Sequence, residues 1–168
     1  YSRSAVTIDV VTAGNGISGA FSTITAPVSG YTAGIVGNAM KLSFGSVACI
    51  SGGVCWDGGA GTDRWTDAAN WTGDLLPSTH SLVFINLAGG SNVVLDSGDY
   101  TIASLNTTGG NNLAITGGSL TLTGISGNGS GLVSTLAGDL TLGGSGALIA
   151  NSALNATRFT QTGGSFSG

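Results

Sequence analysis

The sequence predicts an all-β protein: a right-handed parallel β-helix, or β-solenoid, of about 20-residue coils preceded by a small strand-rich block. Three observations carry this expectation. Charged residues make up 7% of the 168-residue chain, against roughly 25% in ordinary globular proteins. Glutamate is absent and Lys, Arg and Gln are scarce, so long solvent-facing helices have nothing to be built from. Thr, Val and Ile suit pleated strands, whereas the 31 glycines and the many Asn suit turns.

To these compositional observations the chain adds a repeat. Asp99-Tyr-Thr-Ile102, Ser119-Leu-Thr-Leu122, Asp139-Leu-Thr-Leu142 and Arg158-Phe-Thr-Gln161 share a polar–apolar–Thr pattern at offsets of 20, 20 and 19. Such a period suits coils that stack in parallel, each rising by one strand spacing of about 4.8 Å. On this alignment Tyr100, Leu120, Leu140 and Phe159 form one interior stack, and Ile102, Leu122 and Leu142 form the next. Thr101, Thr121, Thr141 and Thr160 form an outward ladder, and glycines supply the corners. The competing architecture is a β-sandwich of hairpins, whose strands recur at about 8–12 residues.

In chain order, residues 1–47 form the strand-rich block, with short β patterns in AVTIDVV, GAFSTIT, GYTAGIV and AMKLSF between turn-forming clusters. Residues 48–80 form a junction that holds both cysteines, all three tryptophans, four of the eight Asp and the single His. Within it, Thr66–Trp71 suits one helical turn with Thr66 or Asp67 as N-cap. Residues 81–168 are the coils.

Candidate chemistry concentrates in the junction. Cys49 and Cys55 enclose ISGGV, whose glycines let the chain close a disulfide; the alternative is a pair of thiols. Trp56, Trp65 and Trp71 fall within sixteen positions. They make either a local mini-core or an exposed platform for stacking on sugars. Gly58–Trp65 matches the calcium nonapeptide pattern, but once only, and such rolls bind calcium between consecutive copies. A lone calcium site there would draw on Asp57, Asp63 and Asp67; the reading without cofactor has these carboxylates capping turns. Catalytic carboxylates need burial or cationic neighbours, and only Arg64 lies close, so the chain reads as a non-enzyme. His80 has no second His or Cys near it in sequence. N-x-[ST] triplets begin at Asn70, Asn106, Asn128 and Asn155.

A formal net charge of −4 from four Lys/Arg and eight Asp argues against nucleic acid and anionic lipid as partners. No apolar run approaches the roughly 18 residues of a membrane span. Both termini read as cuts through a longer chain.

The stretch CWDGGAGTDRWTDAANWTGDLLP resembles a module of very long bacterial surface proteins, in which W-D-G-G-A-G-T is followed by W, A-x-N-W, D and P. Trp56, Asp57, Gly58, Gly59, Trp65, Asn70, Trp71, Asp74 and Pro77 fit that pattern. IDVVTAGNGISGAFSTI and the rungs GGSLTLTG and GDLTLGGSG resemble autotransporter and filamentous-haemagglutinin-like exoproteins. The resemblance implies a secreted, cell-surface or extracellular-matrix protein built on a parallel β-helix, and it brings no catalytic residues to carry over. It leads to a structural or adhesive segment, a unit of a fibre or long repeat rod whose partners are copies of itself or adjacent repeats. Glycans or a host surface are further partners, and a carbohydrate-binding module or a polysaccharide-active enzyme are the alternatives.

Overall fold

The computed structural model describes Cys49 and residues 52–168, together with the backbone of residues 7–12, 31–36 and 39–44. The chain divides into two compact units, Arg3–Ser46 and Val47–Gly168. In the first, β1 (Thr7–Thr12), β2 (Tyr31–Val36) and β3 (Ala39–Phe44) form an antiparallel sheet in the order β1-β3-β2. The strand expected in GAFSTIT lies outside the described residues. AMKLSF forms the central strand of that sheet.

The second unit is mostly β. Its strands are β4 (Gly53–Cys55), β5 (Leu82–Ile85), β6 (Ser91–Leu95), β7 (Asp99–Ile102), β8 (Ser104–Thr107), β9 (Asn111–Ile115) and β10 (Ser119–Leu122). They continue with β11 (Ile125–Ser126), β12 (Gly129–Ser130), β13 (Ser134–Leu142), β14 (Ala147–Ala150), β15 (Leu154–Gln161) and β16 (Ser165–Ser167). Apart from the small β11–β12 hairpin, every pairing among these strands is parallel. The larger sheet curls because the long strands β13 and β15 span two branches. The N-terminal part of β13 pairs with β8, and its C-terminal part pairs with β9. A separate parallel sheet runs β16-β14-β10-β7.

Strict alternation drives the packing. Along β13 the even-numbered residues Ser134, Leu136, Gly138, Leu140 and Leu142 are buried while the odd ones face outward. Equivalent inward residues of paired strands then stack. Val93, Leu113, Leu140 and Phe159 are in register through β6, β9, β13 and β15. Tyr100, Leu120, Leu148 and Phe166 are in register through β7, β10, β14 and β16. One core cluster joins these leucines to Trp56, Trp65 and Trp71.

This corrects the expected stacks. Leu120 and Leu122 pair with Tyr100 and Ile102, but their next neighbours are Leu148 and Ala150, not Leu140 and Leu142. Leu140 and Leu142 belong to a different row, with Leu113 and Ile115 on one side and Phe159 and Gln161 on the other. The threonines divide likewise: Thr121 pairs with Thr101 and Ile149, and Thr141 with Ala114 and Thr160. The physical reason is the β11–β12 hairpin, which lengthens the path between β10 and β14. Ser119 aligns with Ala147, 28 positions on, whereas Asp99 aligns with Ser119 after 20. The inserted hairpin shifts the phase, so the third x-Φ-T-Φ unit falls on another face.

Candidate functional site

The junction covers strand edges of the parallel structure next to it. Cys49 and Cys55 are disulfide-bonded, with Cα atoms 5.5 Å apart. Immediately after Cys55, Trp56 donates its N–H to the Phe84 carbonyl at 2.8 Å and forms an isolated antiparallel bridge with Trp71. Thr72 closes the other edge of β4: its N–H donates to the Cys55 carbonyl at 2.9 Å, and its hydroxyl accepts the Cys55 N–H at 3.1 Å. Residues 63–65 do the same for β6. The Trp65 N–H donates to the Val94 carbonyl at 2.9 Å, and the Val94 N–H to the Asp63 carbonyl at 2.7 Å. One backbone edge of β4 and one of β6 are thereby occupied, while β7 pairs among the described residues with β10 alone.

The tryptophans fill the space these segments enclose. Trp56, Trp65 and Trp71 are 1%, 0% and 0% exposed. Trp71 meets Trp56 and Trp65 edge-to-face at centroid distances of 5.1 and 4.7 Å, and Trp65 also contacts Tyr100 of the first coil-facing strand at 6.0 Å. No indole face is left for a sugar ring to stack on.

Asn70 organises the glycine loop, a role the sequence did not signal. It is fully buried at the end of a short 3-10 turn, Ala68–Asn70. Its side-chain carbonyl accepts the Ala60 N–H at 3.0 Å, and its amide donates to the Thr62 carbonyl, the Thr62 hydroxyl and the Arg64 carbonyl. Its own backbone carbonyl receives the N–H groups of Asp57 and Gly58. A glycan acceptor cannot occupy such a place, so the triplet at Asn70 is structural. Asn128 and Asn155 are exposed and Asn106 is half-buried.

Two of the three candidate calcium carboxylates are used locally. Asp57 accepts the Gly59 N–H at 2.9 Å, and Asp67 accepts the Thr62 hydroxyl. Asp67 is the N-cap of the 3-10 turn by position, without a side-chain cap bond. Among the described residues no group of three His, Cys, Asp or Glu side chains is placed to hold a metal. Arg64 pairs with Asp96 at 3.6 Å, and His80 is exposed in the turn before β5.

The last strands of this sequence each have one partner. Among the described residues β15 pairs with β13 alone and β16 with β14 alone. Nearly the whole of both strands is exposed. Phe159 and Phe166 occupy inward positions at the ends of their rows yet are 41% and 48% exposed, with ring centroids 5.5 Å apart. Arg158 pairs with Asp139 across β13 and β15 at 3.1 Å. A shallow groove of about 380 Å³ runs beside the irregularity between β13 and β15, lined by residues 135–137 and 154–157, none of which ionises. No family model, curated protein or solved structure matches the chain.

Proposed function

We propose that this chain is a structural and adhesive segment of a bacterial extracellular protein, built as a right-handed parallel β-helix and assembled end to end through β-strand stacking. The observation that carries the reading is the repeated parallel register, in which Asp99–Ile102 aligns with Ser119–Leu122 and then with Ala147–Ala150. Connections between parallel strands of one sheet are right-handed in about 98% of cases, which supplies the hand. The WDGGAGT pattern, with its resemblance to a module of bacterial surface proteins, and the rungs that resemble autotransporter and filamentous-haemagglutinin-like exoproteins support the cell-surface location. The disulfide suits an oxidising compartment.

The mechanism is mechanical. Hydrogen-bonded strands continue along one axis around an apolar interior, and the outer surface carries few charges. A bare parallel edge with exposed phenylalanines gains by being covered. A contact between unlike surfaces on successive copies propagates into a fibre. The reading assigns the chain no catalysis and no cofactor. Electron microscopy of the native material tests it: axial filaments or rods on the cell surface are expected, and isolated particles with no axial contacts would overturn end-to-end assembly.

A further inference from the structure

We propose that Asn128, at the tip of the β11–β12 hairpin, is the acceptor of an N-linked sugar. The co-substrate is a sugar joined through its anomeric carbon to a pyrophosphate. The hairpin lies between β10 and β13, so the site depends neither on where the sequence begins or ends nor on end-to-end assembly. Three observations lead to it.

The first is that the hairpin is added to a coil and not part of its packing. Ser119 aligns with Asp99 after 20 positions, and Ala147 with Ser119 after 28. The extra chain matches Ile125–Leu132, which leaves and rejoins where the Leu132 N–H meets the Gly124 carbonyl. Ile125 and residues 127–131 are exposed, and none of the segment joins the core cluster. Packing gives it no role, whereas display of a group to solvent does.

The second is room and unused chemistry at the tip. A Cβ added at Gly127, Gly129 or Gly131 would meet no atom within 4 Å, whereas at the stacked corners Gly118 and Gly138 would run into backbone carbonyls. Ser126 sets the turn: its hydroxyl accepts the Asn128 N–H at 3.3 Å and donates to the Gly129 carbonyl at 3.4 Å. Among the described residues the Asn128 side-chain amide and the Ser130 hydroxyl have no hydrogen-bond partner. Both groups of the N-x-[ST] triplet are therefore available to an enzyme.

The third is contrast with the other triplets. Asn70 is buried with its amide bonded, and the Thr72 hydroxyl is taken by the Cys55 N–H. Asn106 lies in β8, paired on both sides by β5 and β13, and the Thr108 hydroxyl accepts the Asn111 amide at 2.8 Å. Asn155 is held in β15 opposite Thr135. An acceptor must carry its backbone into the enzyme's site, which a hairpin tip does at little cost and a ladder residue does only by losing its bonds. In the transfer, Asn128 Nδ2 forms a bond to the anomeric carbon as the bond from that carbon to the pyrophosphate oxygen breaks. The amide gives up one proton and the pyrophosphate leaves as the anion with the rest of the donor.

Mass-spectrometric peptide mapping of the native protein tests the site, beside Asn128→Gln, Ser130→Ala and Ser130→Thr variants made in the same cells. Most copies of the native Asn128 peptide should carry sugar, and the peptides holding Asn70 and Asn106 should carry none. Asn128→Gln and Ser130→Ala should each reduce occupancy by roughly tenfold or more, and Ser130→Thr should keep it. Circular dichroism melts should match across the variants, which separates loss of the triplet from loss of the fold. A single sugar points to a nucleotide-linked donor and a preassembled oligosaccharide to a lipid-linked one, and either supports the site. Bare Asn128 in the native protein, or sugar that survives Ser130→Ala, overturns it. Neither result bears on filament formation, which electron microscopy reads separately.

Discussion

Trp71 donates its indole N–H to the backbone carbonyl of Trp65 at 2.8 Å, whereas the indole nitrogen of Trp65, equally buried, has no acceptor. The two rings are packed against each other and differ in hydrogen bonding. Removing the Trp71 N–H leaves a buried carbonyl unsatisfied, at a cost of about 1–3 kcal/mol; removing an N–H that is already unpaired avoids that loss. Trp71→Phe should therefore destabilise the chain more than Trp65→Phe by roughly that amount, although both remove similar ring volume. Urea unfolding of the two variants, followed by tryptophan fluorescence, gives the comparison. Equal losses would contradict the hydrogen-bond argument.

The disulfide closes a short loop, with Cys49 and Cys55 six positions apart. In the chain-entropy picture a loop of that size contributes about 2 kcal/mol, less than a long one. The buried tryptophans and the Asn70 bonds hold the same junction independently. Replacing both cysteines by serine should lower unfolding free energy by about 2 kcal/mol and leave a folded chain. Circular dichroism melts with and without the pair measure it, and loss of the native β signal at room temperature would show the junction to depend on the crosslink.

The β11–β12 hairpin bears on how the rows are phased. Its residues are largely exposed, and the Leu132 N–H closes back on the Gly124 carbonyl at 3.1 Å, so the chain leaves and rejoins at nearly the same point. Excising the eight residues from Ile125 to Leu132 would shorten the 28-residue offset between Ser119 and Ala147 to the 20 found between Asp99 and Ser119. Exposed loop tips tolerate such changes. The excised chain should fold with stability within about 1 kcal/mol of the parent, most of that from lost local bonds. Collapse of the β signal would mean that the hairpin is needed for the register.

That hairpin also explains what could and could not be read from the residues. Alternation in SLTL, DLTL and NLAI marks strands because a side chain in a strand points in or out with period two. The stacking partner of each strand depends on the length of chain between them, and ISGNGSGL looks like any other Gly/Ser stretch in this composition. The offset from Ser119 to Asp139 equals a true repeat length by coincidence. In the junction, three tryptophans close together signal burial by size alone. Asn70 gave no such signal, since a buried hydrogen-bonding hub has no periodicity and its partners Ala60, Thr62 and Arg64 are recognisable only once the loop is folded. The exposure of Phe159 and Phe166 was not legible, because it needs the final register.

Close stacking at the corners yields the last prediction. Gly118 has φ of +68°, and a Cβ there would lie 2.0 Å from the carbonyl oxygen of Gly98 on the strand connection beside it. Gly61, in the junction loop, has φ of +71° with open space around it. Both positions carry the left-handed backbone penalty for alanine, about 1–2 kcal/mol. Only Gly118 adds a clash with backbone, which must be relieved by separating two hydrogen-bonded segments, since Ser119 donates to that same Gly98 carbonyl at 2.9 Å. Gly61→Ala should lower stability by about 1–2 kcal/mol, and Gly118→Ala by at least twice as much. Denaturant midpoints of the two variants decide it: similar losses would show that the corner can open without disturbing the sheets it joins.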